Sequence, residues 1–256
     1  MTNVFIVHLN GGLTIKTINV KTKRIDLMIL YTGDTHGDVT RIQKIAYKQN
    51  LTENDTIVIL GDAGYNYYGN NNGDEKKKRK LAKLKCTIFC IHGNHENRPQ
   101  NIPSYLQKQW KNGNVFYEPE YPNLLFAEDG ELYNFEGKQT LVIGGAYSVD
   151  KYYRIMNGMK WFPDEQPDMQ VKKKVKQVLD NINWTVDQVL SHTCPIKYEP
   201  TEVFLPYINQ NLVDKSTEKW LGKIEKQLTY QRWLCGHFHI NKQIDKIQFL
   251  MDEYID

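Results

Sequence analysis

Cysteine is scarce in this sequence, and long apolar runs are missing from it. The 256 residues include four cysteines, which are too few for a disulfide scaffold. Two of them, Cys86 and Cys90, alternate with apolar residues, as in a buried strand. No apolar run approaches the roughly 18–20 residues that a membrane helix needs, and the N-terminus lacks the basic start of a signal peptide. We therefore expect a reduced, cytoplasmic protein without a membrane partner.

A strong excess of charge of either sign is also missing. The sequence has 33 Lys and Arg against 30 Asp and Glu, a net charge of +3. This balance does not require a nucleic-acid partner and does not exclude one. The basic run at residues 76–80 is an anion or nucleic-acid patch in one interpretation, but the pattern favours a solvated helix face. The oligomeric state stays open.

The composition, with 40% apolar and 25% charged residues, is typical of a globular protein and excludes a disordered or fibrous chain. A chain of this length can bury most of its apolar surface in one core, so we expect a single domain.

Short apolar segments alternate with amphipathic stretches from residue 28 onward. Strands are predicted for residues 28–31, 56–60, 87–91, 140–143, 188–190 and 232–234. Helices are predicted for residues 39–49, 75–84, 169–181 and 217–228. The tail at residues 242–255 alternates between apolar and polar residues, as a pair of strands would. This order favours the α/β class with a large sheet component.

Residues 1–27 precede this alternation and leave two interpretations open. Apolar residues on both sides of Asn10, Gly11 and Gly12 are typical of a hairpin around a glycine turn. Alternatively, the functional protein begins at Met28, which opens a strand directly. In both cases residues 28–256 are expected to form the main domain.

Six of the seven histidines lie at or just after the end of a predicted strand. In open α/β sheets, sites assemble outside the carboxyl ends of the strands. The motifs at these ends are Gly33-Asp34-Thr35-His36-Gly37, Gly61-Asp62, Gly93-Asn94-His95-Glu96, Ser191-His192 and Gly236-His237-Phe238-His239. Each motif alone is common, but five of them in one order predict a shared site.

The residue types in these motifs predict a metal centre. Asp34 and His36 are two residues apart, so in extended backbone they point the same way and can bind one ion. His237 and His239 repeat this spacing. Oxygen and imidazole donors without a thiolate suit Mn²⁺, Fe or Zn²⁺. The candidates are too many for one tetrahedral ion and suit two ions that share a bridging carboxylate.

This series of motifs resembles the calcineurin-like metallophosphoesterase superfamily, whose pattern is Asp-x-His, Gly-Asp, Gly-Asn-His-Asp/Glu, His and Gly-His-x-His. The resemblance extends from Asp34 to His239. It implies a two-sheet β-sandwich flanked by helices, with a dinuclear metal site at the strand ends. The residues that it implies are Asp34, His36 and His239 for the first metal ion, Asp62 as the bridge, and Asn94, His192 and His237 for the second.

The resemblance also implies an enzyme, a metal-dependent hydrolase of phosphate esters. A hydroxide that bridges two divalent ions would attack phosphorus. Manganese is the expected metal, with iron or zinc as the alternatives. His95, next to a ligand, would protonate the leaving group as general acid. A non-catalytic metal-binding scaffold is the remote alternative, and the retention of His95 with every ligand position counts against it.

The motifs leave two substrate classes open. The first and third motifs are similar to the Ser/Thr phosphoprotein phosphatase branch, and the chain is similar to small bacterial and phage members. The two motifs favour phosphomonoesters, either small phosphates or phosphoproteins. That branch also has an Asp and an Arg soon after Gly-Asp, and residues 63–68 contain neither. Their absence favours the alternative, a phosphodiesterase for cyclic nucleotides or nucleic acid.

Two arginines are candidates for the missing phosphate contact. Arg98 follows His95 closely, and Arg154 ends a polar and aromatic segment after the strand predicted at residues 140–143. A guanidinium group offers a planar fork of donors that matches phosphate oxygens. We therefore expect Arg98 and Arg154 to bind substrate.

Overall fold

The computed structural model describes residues 27–69 and 72–256, and the backbone of two strands before them. These two strands, β1 (Val4–Leu9) and β2 (Gly12–Thr17), pair antiparallel. The turn predicted at Asn10 and Gly11 lies outside the described residues. Whether the functional protein begins at Met28 stays a prediction.

Seven strands form the first main sheet. They are β3 (Ile29–Thr32), β4 (Thr56–Ile59), β5 (Thr87–Cys90), β6 (Leu106–Trp110), β7 (Gly113–Tyr117), β8 (Leu124–Ala127) and β15 (Tyr254–Ile255). Their order is β15-β3-β4-β5-β8-β7-β6. Strands β3, β4, β5 and β8 are parallel, and the other three pair antiparallel at the edges.

Six strands form the second main sheet. They are β9 (Leu132–Phe135), β10 (Lys138–Ile143), β11 (Gln188–Ser191), β12 (Arg232–Cys235), β13 (Lys242–Ile244) and β14 (Ile247–Phe249). Their order is β13-β14-β12-β11-β10-β9, with β10, β11, β12 and β14 parallel. The strand pair predicted in the tail is present, since β13 and β14 pair antiparallel, and a third short strand of the tail, β15, joins the first sheet.

Helices accompany both sheets. They are α1 (Val39–Lys48), α2 (Asn72–Leu81), α3 (Lys151–Met156), α4 (Met169–Asn181) and α5 (Ser216–Glu225). The side chains of Asp38 and Asp168 cap α1 and α4 by accepting hydrogen bonds from backbone N–H groups in the first turn. None of the described helices is long and apolar enough to cross a membrane.

The central strands are buried on both faces, and their alternate residues enter different cores. Val58 and Phe89 point between the two sheets, where they join one core with Leu190 of the second sheet. Ile57 and Ile88, their neighbours in the chain, pack against the layer of α1 and α2. A third core lies between the second sheet and α4 and α5. The result is a two-sheet sandwich covered by helices, which confirms the predicted fold class.

The structure shows the surroundings of the cysteines and of the basic run. All four cysteines are free and buried. The basic run at residues 76–80, expected to be a solvated helix face, is only partly exposed. Lys78 is buried and donates a hydrogen bond to Glu118 at 2.6 Å, and Lys77 donates to the Gly64 carbonyl at 2.9 Å. Part of the run therefore supports the fold.

Candidate active site

The motifs meet where the parallel strands of both sheets end. Four of the predicted ligands adopt left-handed backbone conformations, with φ of 45° at His36, 45° at Asp62, 66° at His237 and 51° at His239. Such conformations cost non-glycine residues about 1–3 kcal/mol each, and they concentrate at functional sites. The packing of the fold therefore holds these side chains in one place at the expense of local stability.

The first group consists of Asp34, His36 and His239. The Nε2 atoms of the two histidines lie 3.0 Å apart. The Oδ2 atom of Asp34 lies 3.2 Å from the Nε2 atom of His239 and 3.8 Å from that of His36. This carboxylate is buried, and its Oδ2 atom has no hydrogen-bond partner of good geometry among the described residues. Three donor atoms that face one point, with a bare buried oxygen among them, fit a divalent cation.

Asp34 stays ionised although it is buried. Burial opposes ionisation, but the histidines around it, with His192 first, hold the pKa of Asp34 well below its ordinary value. In return, the close approach of Asp34 raises the pKa of His239, although burial opposes this. The backbone N–H of His237 donates to the Oδ1 atom of Asp34 at 2.9 Å, which fixes the orientation of the carboxylate.

Asp62 lies between the first group and a second one. Its Oδ1 atom accepts a hydrogen bond from the His95 backbone N–H at 2.8 Å and lies 3.7 Å from the Nε2 atom of His192. Its Oδ2 atom lies 4.0 Å from the Nδ1 atom of His36. The carboxylate therefore faces histidines of both groups, a position suited to a bridging ligand.

The second group consists of Asn94, His192 and His237. The Asn94 side-chain amide donates to the Oγ atom of Ser148 at 2.9 Å, which turns its Oδ1 atom toward both histidines. This oxygen lies 2.8 Å from the Nε2 atom of His192 and 3.1 Å from the Nδ1 atom of His237. Burial, with His192 nearby, lowers the pKa of His237 to about 3, so its imidazole is neutral as a metal ligand must be.

The glycines of the motifs leave room for the two carboxylates. A Cβ atom on Gly93 would lie 2.0 Å from the Oδ1 atom of Asp62. A Cβ atom on Gly236 would lie 2.3 Å from the Oδ1 atom of Asp34. Any larger residue at either position would displace a candidate ligand.

Glu96, the last residue of the third motif, holds the turn that carries Asp62. Its buried carboxyl group accepts hydrogen bonds from the backbone N–H groups of Ala63 at 3.3 Å and Gly64 at 3.2 Å. Burial, together with the nearby charge of Asp62, raises the pKa of Glu96 to about 8. The sequence marked Glu96 only as part of a motif, and its contacts show a supporting role.

His95 lies beside the metal-ligand candidates and contacts one of the two predicted arginines. Its Nε2 atom is 3.3 Å from the Nη2 atom of Arg154 and 3.9 Å from the Oδ1 atom of Asp150. The Nε atom of Arg154 donates to the Oδ2 atom of Asp150 at 2.8 Å. Burial lowers the pKa of His95 and Arg154 adds to this effect, while Asp62 and Asp150 oppose it.

Asp150 and Ser148 are residues that the motif pattern missed. Both belong to the segment between β10 and α3 that attracted attention only for Arg154. Asp150 brings a carboxylate to His95, which the missing Asp at residues 63–68 had left without an orienting partner. The signal was present in the sequence, because polar residues that follow β10 meet the same edge of the sheets as the other motifs.

Arg98 does not face the candidate ligands. Its Nη1 atom donates to the Oδ2 atom of Asp129 at 2.5 Å, and its Nε atom donates to the Asp164 carbonyl at 2.8 Å. Both side chains of the ion pair are buried. The guanidinium group is therefore engaged inside the protein, and its position does not favour the predicted contact with phosphate.

A cleft of about 360 Å³ adjoins the candidate ligands. One end is lined by Asp62, Asn94, His95, His237 and His239. The other end is lined by the segment between β11 and α5, which contains three short 3-10 turns, Ile196–Tyr198, Thr201–Val203 and Gln210–Leu212. A substrate in this cleft would contact the metal-ligand candidates and this segment together.

Comparison with solved structures shows resemblance at low sequence identity. A protein of unknown function from Aquifex aeolicus is 14% identical, with 66% of this chain and 81% of that one covered and a TM-score of 0.33. The phosphoesterase Yfce from E. coli is 19% identical, with 45% and 68% covered and a TM-score of 0.21. A search of curated proteins finds no match.

The family model for calcineurin-like phosphoesterases matches residues 27–241. This range contains all five motifs and both groups of metal-ligand candidates. The chain therefore belongs to the calcineurin-like phosphoesterase family and is a metal-dependent hydrolase of phosphate esters.

Proposed function

We propose that the protein is a phosphatase that hydrolyses phosphomonoesters with two divalent metal ions. The proposed metal is Mn²⁺, with Fe or Zn²⁺ as the alternatives. The proposed ligands are Asp34, His36 and His239 for one ion, Asn94, His192 and His237 for the other, and Asp62 for both. The convergence of these side chains, with a bare buried oxygen on Asp34, supports the ligand assignment. Two bound ions would neutralise the charge of the phosphate and supply an activated water.

The single observation that carries the proposal is the contact of His95 with Arg154 at the edge of the metal-ligand cluster. The two side chains are 3.3 Å apart, and the His95 imidazole lines the cleft. A phosphomonoester presents several charged oxygens, and the Arg154 guanidinium can donate to them from one side of the cluster. His95, at the cleft, can then reach the oxygen that joins phosphorus to the leaving group.

The role proposed for His95 is that of a general acid. In the protonated imidazole the Nε2 atom carries a proton, which it donates to the leaving oxygen as the bond to phosphorus breaks. Asp150, with its Oδ1 atom 3.9 Å from Nε2, lies too far for a hydrogen bond and stabilises the charged imidazole through its negative charge. This Oδ1 atom has no hydrogen-bond partner among the described residues, so its charge is not used elsewhere.

A phosphodiesterase is the second candidate, and one observation favours it. Residues 63–68 lack the Asp and Arg found in the phosphoprotein phosphatase branch. Asp150 and Arg154 supply the same two chemical groups from another segment, which favours the monoester. A diester would need room for a second organic group beside Arg154.

The test compares an aryl phosphate monoester with the corresponding bis-aryl diester. The full-length protein is stripped of metal and then restored with Mn²⁺. We expect a higher kcat/KM for the monoester and loss of activity in Asp62→Asn, with Asp187→Asn, a half-buried carboxylate outside the cleft lining, as the matched control. A higher kcat/KM for the diester would replace phosphatase by phosphodiesterase. Activity that persists in Asp62→Asn would contradict the assigned site.

A further inference from the structure

The cleft beside the metal-ligand candidates has one apolar wall. Its apolar lining residues are Val203, Phe204, Leu205, Ile208, Val213 and Phe238. The rings of Phe204 and Phe238 are nearly parallel, with centroids 6.3 Å apart and an angle of 21° between their planes. Clefts that bind small molecules have volumes of about 300–1,000 Å³ and a mostly apolar lining. The wall thus offers a flat apolar surface to the organic part of a substrate.

Glu218 lies at the same end of the cleft and is incompletely paired. Its side chain is 4% exposed, and its Oε1 atom accepts a hydrogen bond from the Thr193 hydroxyl at 2.8 Å. Its Oε2 atom has no hydrogen-bond partner among the described residues. A buried acceptor without a donor destabilises the protein, and a bound donor would recover part of this cost. Glu218 therefore offers a hydrogen-bond acceptor to a ligand.

The other charged groups at this end are already paired. Lys215 donates to Glu199 at 2.8 Å, which neutralises the cation that lines the cleft. Asp214 accepts hydrogen bonds from the Ser216 backbone N–H at 2.9 Å and from the Gln166 amide at 3.1 Å. No unpaired cation is therefore offered by these described residues, and a second phosphate, as in nucleic acid, would meet carboxylates there.

We propose that the substrate is a small phosphomonoester whose leaving alcohol has a flat apolar body and carries an N–H or O–H donor for Glu218. This inference rests on the proposed phosphatase function and adds the substrate class. The apolar wall with Phe204 holds the body, and the Oε2 atom of Glu218 accepts the hydrogen bond. His95 lines the same cleft, and Arg154 lies 3.3 Å from its Nε2 atom, where the phosphate would bind.

The first test uses aryl phosphates of matched leaving-group acidity, with and without one amino group at different ring positions. Glycerol 2-phosphate is added as a phosphomonoester whose leaving alcohol has no aromatic body. With the Mn²⁺-loaded full-length protein, we expect at least one amino isomer to exceed the parent aryl phosphate about tenfold in kcat/KM, mainly through KM. Tenfold corresponds to about 1.4 kcal/mol, close to a typical net hydrogen bond.

Variants connect this preference to the cleft. Glu218→Gln should reduce the amino preference at least severalfold, and Phe204→Ala should raise KM for aryl phosphates more than for glycerol 2-phosphate. Glu225→Gln is the matched control, because Glu225 is a partly buried carboxylate on the same helix α5 outside the cleft lining. The melting temperature of each variant is measured beside the kinetics, so that a loss of folding is recognised.

Three outcomes would overturn the inference. These are equal kcat/KM for all amino isomers and their parent, an amino preference that survives in Glu218→Gln, or a strong preference for a phosphoserine peptide. If no phosphate ester is hydrolysed, the proposed function fails separately. Calorimetric binding of the free aminoaryl alcohols then decides the inference, since weaker binding to Glu218→Gln than to the wild type supports it and equal or absent binding contradicts it.

Discussion

Replacing Arg98 with methionine removes the partner of a carboxylate that the fold buries almost completely. The Arg98 and Asp129 side chains are 8% and 4% exposed, and their ion pair joins atoms 2.5 Å apart. In the variant, Asp129 keeps one hydrogen bond, from the Gly144 backbone N–H at 2.7 Å. Its Oδ2 atom would be left without a donor in a position that water reaches poorly.

The expected cost follows from this burial. Breaking a buried ion pair by removing one partner destabilises a protein by about 3–5 kcal/mol. In a domain of this size each kcal/mol lowers Tm by about 2–4 °C, so we expect a decrease of about 6–20 °C. Because the Arg98 guanidinium does not face the metal-ligand candidates, kcat/KM should stay within a few fold of the wild type at temperatures where the variant is folded.

The assay is thermal unfolding of the full-length protein combined with phosphoesterase kinetics at a low temperature. Arg79→Met is the matched control, because Arg79 is exposed and pairs with Glu75 four residues earlier on α2. Such an exposed pair contributes little to stability, so Tm should hardly change. An unchanged Tm in Arg98→Met with a tenfold or larger loss of kcat/KM would refute the reasoning. It would support the role predicted from the sequence, in which Arg98 binds the phosphate.

Three further predictions follow from the site. Arg154→Ala should lower kcat/KM about 10–100-fold, since hydrogen bonds to charged groups contribute about 1.5–3 kcal/mol; partial recovery in Arg154→Lys would support this, and wild-type kinetics in the alanine variant would contradict it. Gly236→Ala, whose Cβ atom would lie 2.3 Å from the Oδ1 atom of Asp34, should weaken Mn²⁺ binding in calorimetry, and unchanged affinity would count against the ligand role of Asp34. Burial raises the pKa of Glu218 from 4.5 to about 7, so the folded chain binds this proton more tightly than the unfolded chain. The stability that the carboxyl group contributes is complete below its ordinary pKa and is lost as pH rises through about 7. The Tm of the wild type should therefore fall relative to Glu218→Gln between pH 5 and pH 8, and a constant difference would show that the pKa is not raised.

The central strands could be predicted because both of their faces are buried. Residues 56–60 and 87–91 are nearly continuous apolar runs, and the structure has strands at Thr56–Ile59 and Thr87–Cys90. The edge strands lack this signal. Strand β6 (Leu106–Trp110) contains Gln-Lys-Gln and is largely exposed, so its place depends on pairing with β7 and not on its own pattern.

The metal-ligand candidates could be predicted because each follows its strand directly, so the local sequence fixes its position. Residues on long connections could not be placed in the same way. Asp150 reaches His95, and Glu218 reaches the cleft, only through the folding of the segments after β10 and β11.

Side-chain direction is the other limit of sequence reasoning. Arg98 follows His95 closely in the chain, but it points toward Asp129, and no spacing rule could show this. Lys78 belongs to a run of basic residues, but it pairs with Glu118 because α2 packs this face inward. Both cases depend on a partner that is distant in sequence.

The most direct test of the central claim is the metal content of the active protein. The full-length chain is stripped, incubated with Mn²⁺, freed of excess metal and analysed for manganese by elemental mass spectrometry while the phosphoesterase activity is recorded. Two ions per chain are expected at full activity, with fewer ions and little activity in Asp62→Asn. Full activity with no bound metal, or with a single ion, would contradict the two-metal site.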